Sequence, residues 1–318
     1  MKSIKTVSIL LVLLLAAFVY YSLHVNQKTD DKTAVTDESK SRPLIALSTY
    51  ALYDAAKNIA GESMECFCVL PYGVEVHDFE PTPKIMARLH DADLVVFSGA
   101  GLQPWTHTFE DEKNGLDMSG YMKLLDAAHH DDDEEESGHH HESEFDPHYW
   151  LDTDNMIKAV NVLKEKFTKL LPANKELYNA NAEAYIAKLK EIDAQYRQKM
   201  LTCKIDTIVV DHNAFSYLAQ KYGFHVESIS GLSPDAEPSA KVMGSIIDKV
   251  KENNITTIFF ESFASDKVIN AIATDAKVQV DFLQPIANIT KDELQNKSTY
   301  YSLMMQNLEK ISKARECR

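Results

Sequence analysis

Basic charge is the first thing this chain of 318 residues lacks: 33 Lys and Arg are outnumbered by 48 Asp and Glu, giving a formal net charge of −15. Nucleic acid is held through Lys and Arg contacts to phosphate, so no nucleic-acid partner is expected. The acidic balance suits a cation instead. Cysteine is scarce as well. Cys66, Cys68, Cys203 and Cys317 are too few for a disulfide scaffold, although Cys203 and Cys317 pair if the terminal helix returns to the start of a second lobe. No His-Glu-x-x-His sequence occurs, which removes the usual helix of a zinc hydrolase. The apolar run at 7–21 is short for a membrane span, and it follows Lys2 and Lys5, the pattern of an export signal. No cysteine stands just after that run, which argues against a lipid-anchored start. A clean small-residue cleavage site is also missing near Ala16 and Ala17, and this leaves an uncleaved anchor open.

What is present is a globular composition, 45% apolar and 25% charged, in a chain long enough for two domains. It is organised around the stretch 129–152. Its first part sets His129, His130, His139, His140 and His141 among a dense run of Asp and Glu, with almost nothing to bury. Such a run alone reads as a solvated surface; the interspersed imidazoles make it a loose, low-affinity metal collector. The last part, Asp146-Pro147-His148-Tyr149-Trp150-Leu151-Asp152, differs. Pro147 fixes the backbone, and the three apolar side chains after His148 can pin that imidazole against a folded surface.

From residue 44 onward, short apolar runs alternate with helical periods, which predicts α/β architecture with parallel sheets covered by helices. Strands are predicted at 44–47, 66–70 and 94–97, and again at 205–210, 226–229, 257–260 and 277–280. Between the two sets, one helix from 153 is broken by Pro172, and a second runs from 173 to 201. At 1.5 Å per residue that second helix is about 43 Å long, suited to joining two lobes rigidly. Cys66 and Cys68 are two apart on a strand, hence on one face, either as small buried side chains or as a soft metal site.

Several metal-ligand residue types fall at the same topological place. His77, His212, Glu261 and Asp281 each lie at or just past the carboxyl end of a predicted strand, where open α/β sheets present their binding residues. Three imidazoles, His77, His148 and His212, with one carboxylate make a tetrahedral set for Zn²⁺. Asp281 is the first choice for that carboxylate and Glu261 the second, either one being able instead to orient a ligating imidazole. The resulting division is 1–25 as signal peptide or uncleaved anchor and 26–42 as flexible linker. The N-terminal metal-binding lobe spans 43–172, with the His/Asp/Glu-rich loop at 126–145. The connecting helix occupies 173–202, and the C-terminal metal-binding lobe 203–318.

These residues also carry a family resemblance. The loop Gly73 to Pro83 around His77, Ser98-Gly99-Ala100-Gly101-Leu102-Gln103-Pro104-Trp105, the His148 motif, Asp211-His212-Asn213-Ala214-Phe215-Ser216-Tyr217 and the segment 231–238 resemble the periplasmic zinc/manganese-binding proteins of ABC importers, the ZnuA/TroA-like (cluster A-I, cluster 9) family. The resemblance implies two Rossmann-like lobes bridged by one long helix, with metal held between them by His77, His148, His212 and a carboxylate near Asp281. It also implies an extracytoplasmic monomer that delivers Zn²⁺ to a membrane permease and its ATPase, and not an enzyme. The histidine at 212 and the His-rich loop resemble the zinc branch. Departures stand at Val76, Gln103 and Thr153. A zinc buffer or adhesin without transport, or a manganese-specific protein, would use the same residues.

Overall fold

Runs such as Leu-Ile-Ala-Leu and Leu-Val-Val-Phe have no polar alternation, the pattern of strands covered on both faces. In the computed structural model they become β1 (Leu44–Leu47) and, after α1 (Tyr50–Ala60), β2 (Glu65–Cys68) and α2 (Pro83–His90), β3 (Leu94–Phe97). With β4 (Gly115–Asp117) they form a parallel sheet in the order β2-β1-β3-β4. The structure describes residues 42–127, 144–232, 240–261 and 266–318, and Pro43–Arg318 form one compact unit. The predicted signal at 1–25, residues 26–41 of the predicted linker at 26–42, and the loop histidines His129, His130, His139, His140 and His141 lie outside the described residues.

Local signals end these elements. Gly61 closes α1 at φ 57°, and Thr82 starts α2 by accepting a hydrogen bond from the Ile85 amide, with Pro83 in the first turn. After β3, Gly99 has φ 72°, and a Cβ there would lie 1.9 Å from Asp117 Oδ1. Only glycine fits that turn.

A short antiparallel pair, β5 (Leu125–Asp126) and β6 (Phe145–Asp146), precedes the helices α3 (Thr153–Leu170) and α4 (Lys175–Lys199). The break at Pro172 is a single 3-10 turn, Pro172–Asn174, so α4 begins two residues later than the sequence predicts. One face of α4 buries Tyr178, Ala182, Tyr185, Leu189, Ile192 and Tyr196. Tyr185 donates to Asp54 of α1 (2.8 Å), while Tyr196 donates to the Met304 carbonyl (2.7 Å) in the last helix of the chain. Both lobes are thus packed along one rod.

The second lobe repeats the alternation: β7 (Thr207–Val210), α5 (Ser216–Tyr222), β8 (His225–Ser228), α6 (Ala240–Glu252), β9 (Thr257–Phe260), α7 (Asp266–Ala276), β10 (Gln279–Phe282) and finally α8 (Tyr300–Ala314). Its parallel sheet has the order β10-β9-β7-β8. The segment after β10 crosses back to the first lobe. There the Tyr50 and Ala51 amides, at the start of α1, donate to the Ala287 and Ile286 carbonyls (2.8 and 3.2 Å), and Trp150 Nε1 donates to Pro285 (2.7 Å). Apolar residues of both lobes belong to one continuous core, so relative motion of the lobes would open buried surface. The predicted pairing of Cys203 with Cys317 is present as a disulfide between the start of the second lobe and the end of α8.

Candidate metal centre

β7 and β9 are the two central strands of the second sheet, and the chain order reverses between them. Loops leaving such a pair diverge and open a crevice at the carboxyl ends. His212 stands two residues past β7 and Glu261 one residue past β9, both almost fully buried in that crevice. The Nδ1 atom of His212 faces Glu261 Oε1 directly.

His148 comes from the first lobe, between β6 and the 3-10 turn Tyr149–Leu151. Asp146 holds it twice, accepting from its backbone amide (2.9 Å) and facing ring Nδ1 (2.9 Å). With Nδ1–H donated to the carboxylate, the lone pair of Nε2 is left for the cleft. The Trp150 ring stands edge-on to the imidazole at 5.4 Å. His148 Nε2 lies 3.4 Å from His212 Nε2.

The third imidazole sits on the loop between β2 and α2. That loop is anchored from the other lobe: Asn288 donates to the Pro71 and Val74 carbonyls (2.8 Å each), and the Gly73 amide donates to Ile289 (3.0 Å). His77 is thereby brought to ring-centroid distances of 5.5 Å from His148 and 5.7 Å from His212. Among the described residues its buried Nε2 has no hydrogen-bond partner. One ligand atom from each of the three histidines lies within 4.8 Å of the others. Two nitrogens on one tetrahedral zinc are about 3.3 Å apart, given bonds of about 2.0–2.1 Å, so the donor set suits such an ion.

The two predicted carboxylates part company. Glu261 lines the cavity. Asp281 does not join it: the strand extends to Phe282, placing Asp281 within edge strand β10, where it accepts from the Phe282 amide (2.7 Å) and pairs with Lys310 (3.3 Å). Glu75 also lines the cavity, and the sequence reading passed over it. Its carboxylate accepts from the Val76 and His77 amides (2.7 and 3.3 Å). The signal was its place two residues before His77. Asn288, the loop anchor, has no signal in the sequence.

Burial decides the charge state of this cleft. It pushes the Glu261 carboxyl up to about 8 and raises Glu75, which also feels Glu261. Asp211, beside His212, rises to about 6 for the same reason. His77 is lowered well below its ordinary value by burial and by the two neighbouring imidazoles, so it stays neutral and able to donate a lone pair. The free space among these side chains is about 10 Å³. A cavity of that size holds about one water molecule or one small ion.

The family described as zinc-uptake complex component A, periplasmic (ZnuA), matches residues 45–314. The chain belongs to the ZnuA family. Among curated members it is 33% identical over 273 residues to the zinc-binding lipoprotein AdcA of Streptococcus pneumoniae, covering 84% of this chain and 54% of that protein. It therefore spans about half the length of that relative. It is 34% identical over 289 residues to the high-affinity zinc uptake system protein ZnuA of Bacillus subtilis, covering 89% of this chain and 91% of that one. In three dimensions it is similar to the Zn(II)-bound ZnuA-like domain of S. pneumoniae AdcA, with a TM-score of 0.73, 32% identity, and coverage of 87% of this chain and 100% of the domain. The fold of the ZnuA family, two parallel α/β lobes on one long helix, is the one described above.

Proposed function

We propose that this chain captures Zn²⁺ outside the cytoplasm and hands it to the permease and ATPase of an ABC importer, as a binding protein and not as an enzyme. The observation that carries this reading is the meeting of His77, His148 and His212 from three distant stretches of chain, with a buried imidazole nitrogen of His77 unpartnered among the described residues. Neutral imidazoles with one carboxylate favour zinc over calcium and magnesium, which prefer shells of oxygen. A hydrolase would need space for substrate beside the metal, whereas the described side chains leave about 10 Å³ among them.

Among the described residues, Glu261 and Glu75 are the carboxylates that line the cavity. Glu261 holds the His212 ring from behind, as Asp146 holds His148. With its pKa at about 8 in the folded protein and near 4.5 unfolded, it ionises only on unfolding between those values, so metal-free stability falls as pH rises from about 4.5 to about 8. Glu261→Gln is expected to flatten that fall, raising the melting temperature of the metal-free protein at pH 8. It should also weaken zinc binding about tenfold, the usual effect of losing a carboxylate that orients a ligating histidine. A pH series of melting curves unchanged by the substitution would contradict this account of Glu261.

The purified protein is expected to hold one tightly bound zinc ion that manganese does not displace. Deleting 129–141 should leave that ion and its affinity intact and remove only weaker additional binding. Calorimetric titration of the deletion variant checks this: if the tight event vanishes with the loop, the cleft is not the primary site. Zinc-limited growth of cells lacking the chain, with and without complementation, separates import from mere buffering.

A further inference from the structure

Cys66 and Cys68 belong to no part of the cleft just described. They lie on β2, the open edge of the first sheet, and at period two their side chains leave the same face of the strand. Both are free thiols, half buried. They line one groove of about 590 Å³, whose walls include Tyr53 of α1, Tyr72 of the loop after β2, and Arg88 of α2, with the Arg88 guanidinium 3.8 Å from the centre of the Phe67 ring.

The chain forms a disulfide elsewhere yet leaves this pair reduced, and strand geometry supplies the reason. Residues i and i+2 of a strand stand about 6.6 Å apart with parallel Cα–Cβ bonds. A disulfide needs Cβ atoms about 3.8 Å apart, which those parallel bonds forbid. A bridging metal asks for much less. With metal–sulfur bonds of about 2.3 Å, two thiolates facing each other across one ion lie about 4.6 Å apart, within reach of side-chain rotation alone.

We infer that Cys66 and Cys68 form a second metal site, a two-coordinate dithiolate clip for a monovalent thiophilic ion of the Cu(I) class. Zinc is the wrong guest here, because it takes four ligands and the described residues offer no third histidine, cysteine or carboxylate grouped with these two. Binding breaks two S–H bonds, forms two metal–sulfur bonds and releases two protons to solvent, with no change of oxidation state. The clip then carries one net negative charge. Lys57 of α1, whose ammonium lies 5.7 Å over the Tyr53 ring and acts electrostatically on Cys66, stands close enough to offset it. Burial pushes both thiols up to about 12, so the empty clip is protonated and slow to oxidise.

The test uses Ag(I), a redox-inert probe of the same class, on the full chain with its histidine cleft preloaded with zinc. One equivalent should shield both thiols of the wild-type protein from alkylation, read by mass spectrometry, and should release two protons. Cys66→Ser and Cys68→Ser should each weaken Ag(I) binding at least 100-fold while leaving cleft zinc affinity unchanged. The inference is overturned if shielding both thiols takes two equivalents, if one equivalent leaves either thiol fully reactive, or if a single serine variant binds Ag(I) as tightly as the wild type. The wild-type shielding result stands whether or not the variants fold.

Discussion

Replacing His212 with alanine is expected to weaken zinc binding by two to three orders of magnitude. Tight structural zinc sites with four ligands are worth about 10–16 kcal/mol at neutral pH, so one ligand accounts for about 3–4 kcal/mol, and each 1.4 kcal/mol is about tenfold in affinity. Two features make His212 the most sensitive of the three. Its Nε2 faces that of His148 at 3.4 Å, so the substitution removes one edge of the donor triangle. It also strips the buried Glu261 carboxyl of the imidazole it faces. His107→Ala is the matched control, since that side chain is exposed and pairs with Glu110 at 2.8 Å. Competition titration against a chelator of known affinity checks both. If His212→Ala and His107→Ala bind zinc alike, the cleft is not where the metal sits.

The second large effect concerns stability and leaves affinity alone. The Cys203–Cys317 bridge closes a loop with a sequence separation of 114. Loop-closure entropy for about 100 residues is worth about 4.7 kcal/mol, a large part of the roughly 5–15 kcal/mol by which a domain is stable. The double variant Cys203→Ser, Cys317→Ser is therefore expected to melt about 10 °C lower. Native contacts around the bridge persist without it: the Lys204 and Ile205 amides donate to the Arg315 carbonyl (3.0 and 3.1 Å), and the buried Arg315 guanidinium donates to the Ile205 carbonyl (2.9 Å). The loss thus acts mainly through the unfolded chain. Zinc affinity should stay within about twofold, because the bridge lies before the amino end of β7 and His212 follows its carboxyl end. A melting temperature unaffected by the double substitution would show that the bridge contributes nothing. A large drop in affinity would mean that the bridge reaches the cleft.

Much of the fold was legible because it rests on local periodicity. Uninterrupted apolar quartets mark doubly covered strands, Gly61 and Pro172 punctuate helices, and the spacing of Tyr178, Tyr185, Leu189 and Tyr196 marks one face of a long helix. The three histidines were legible for a related reason: His77 and His212 follow strands, and His148 is locked between a proline and three apolar side chains.

The choice of carboxylate was not legible. Glu261 and Asp281 look alike in sequence, each close to the end of a short apolar run. Strand order separates them, because β9 is central and opens on the crevice whereas β10 is an edge strand whose Asp281 turns to Lys310. Glu75 carried only its place two residues before His77 and Asn288 carried no signal, since their roles depend on a loop from one lobe being anchored by a segment from the other. The sequence by itself determined the elements, their alternation and the imidazole donors, all properties of neighbours along the chain. Only the tertiary structure decided which acid meets them, because burial and sheet order are set by contacts between residues hundreds of positions apart.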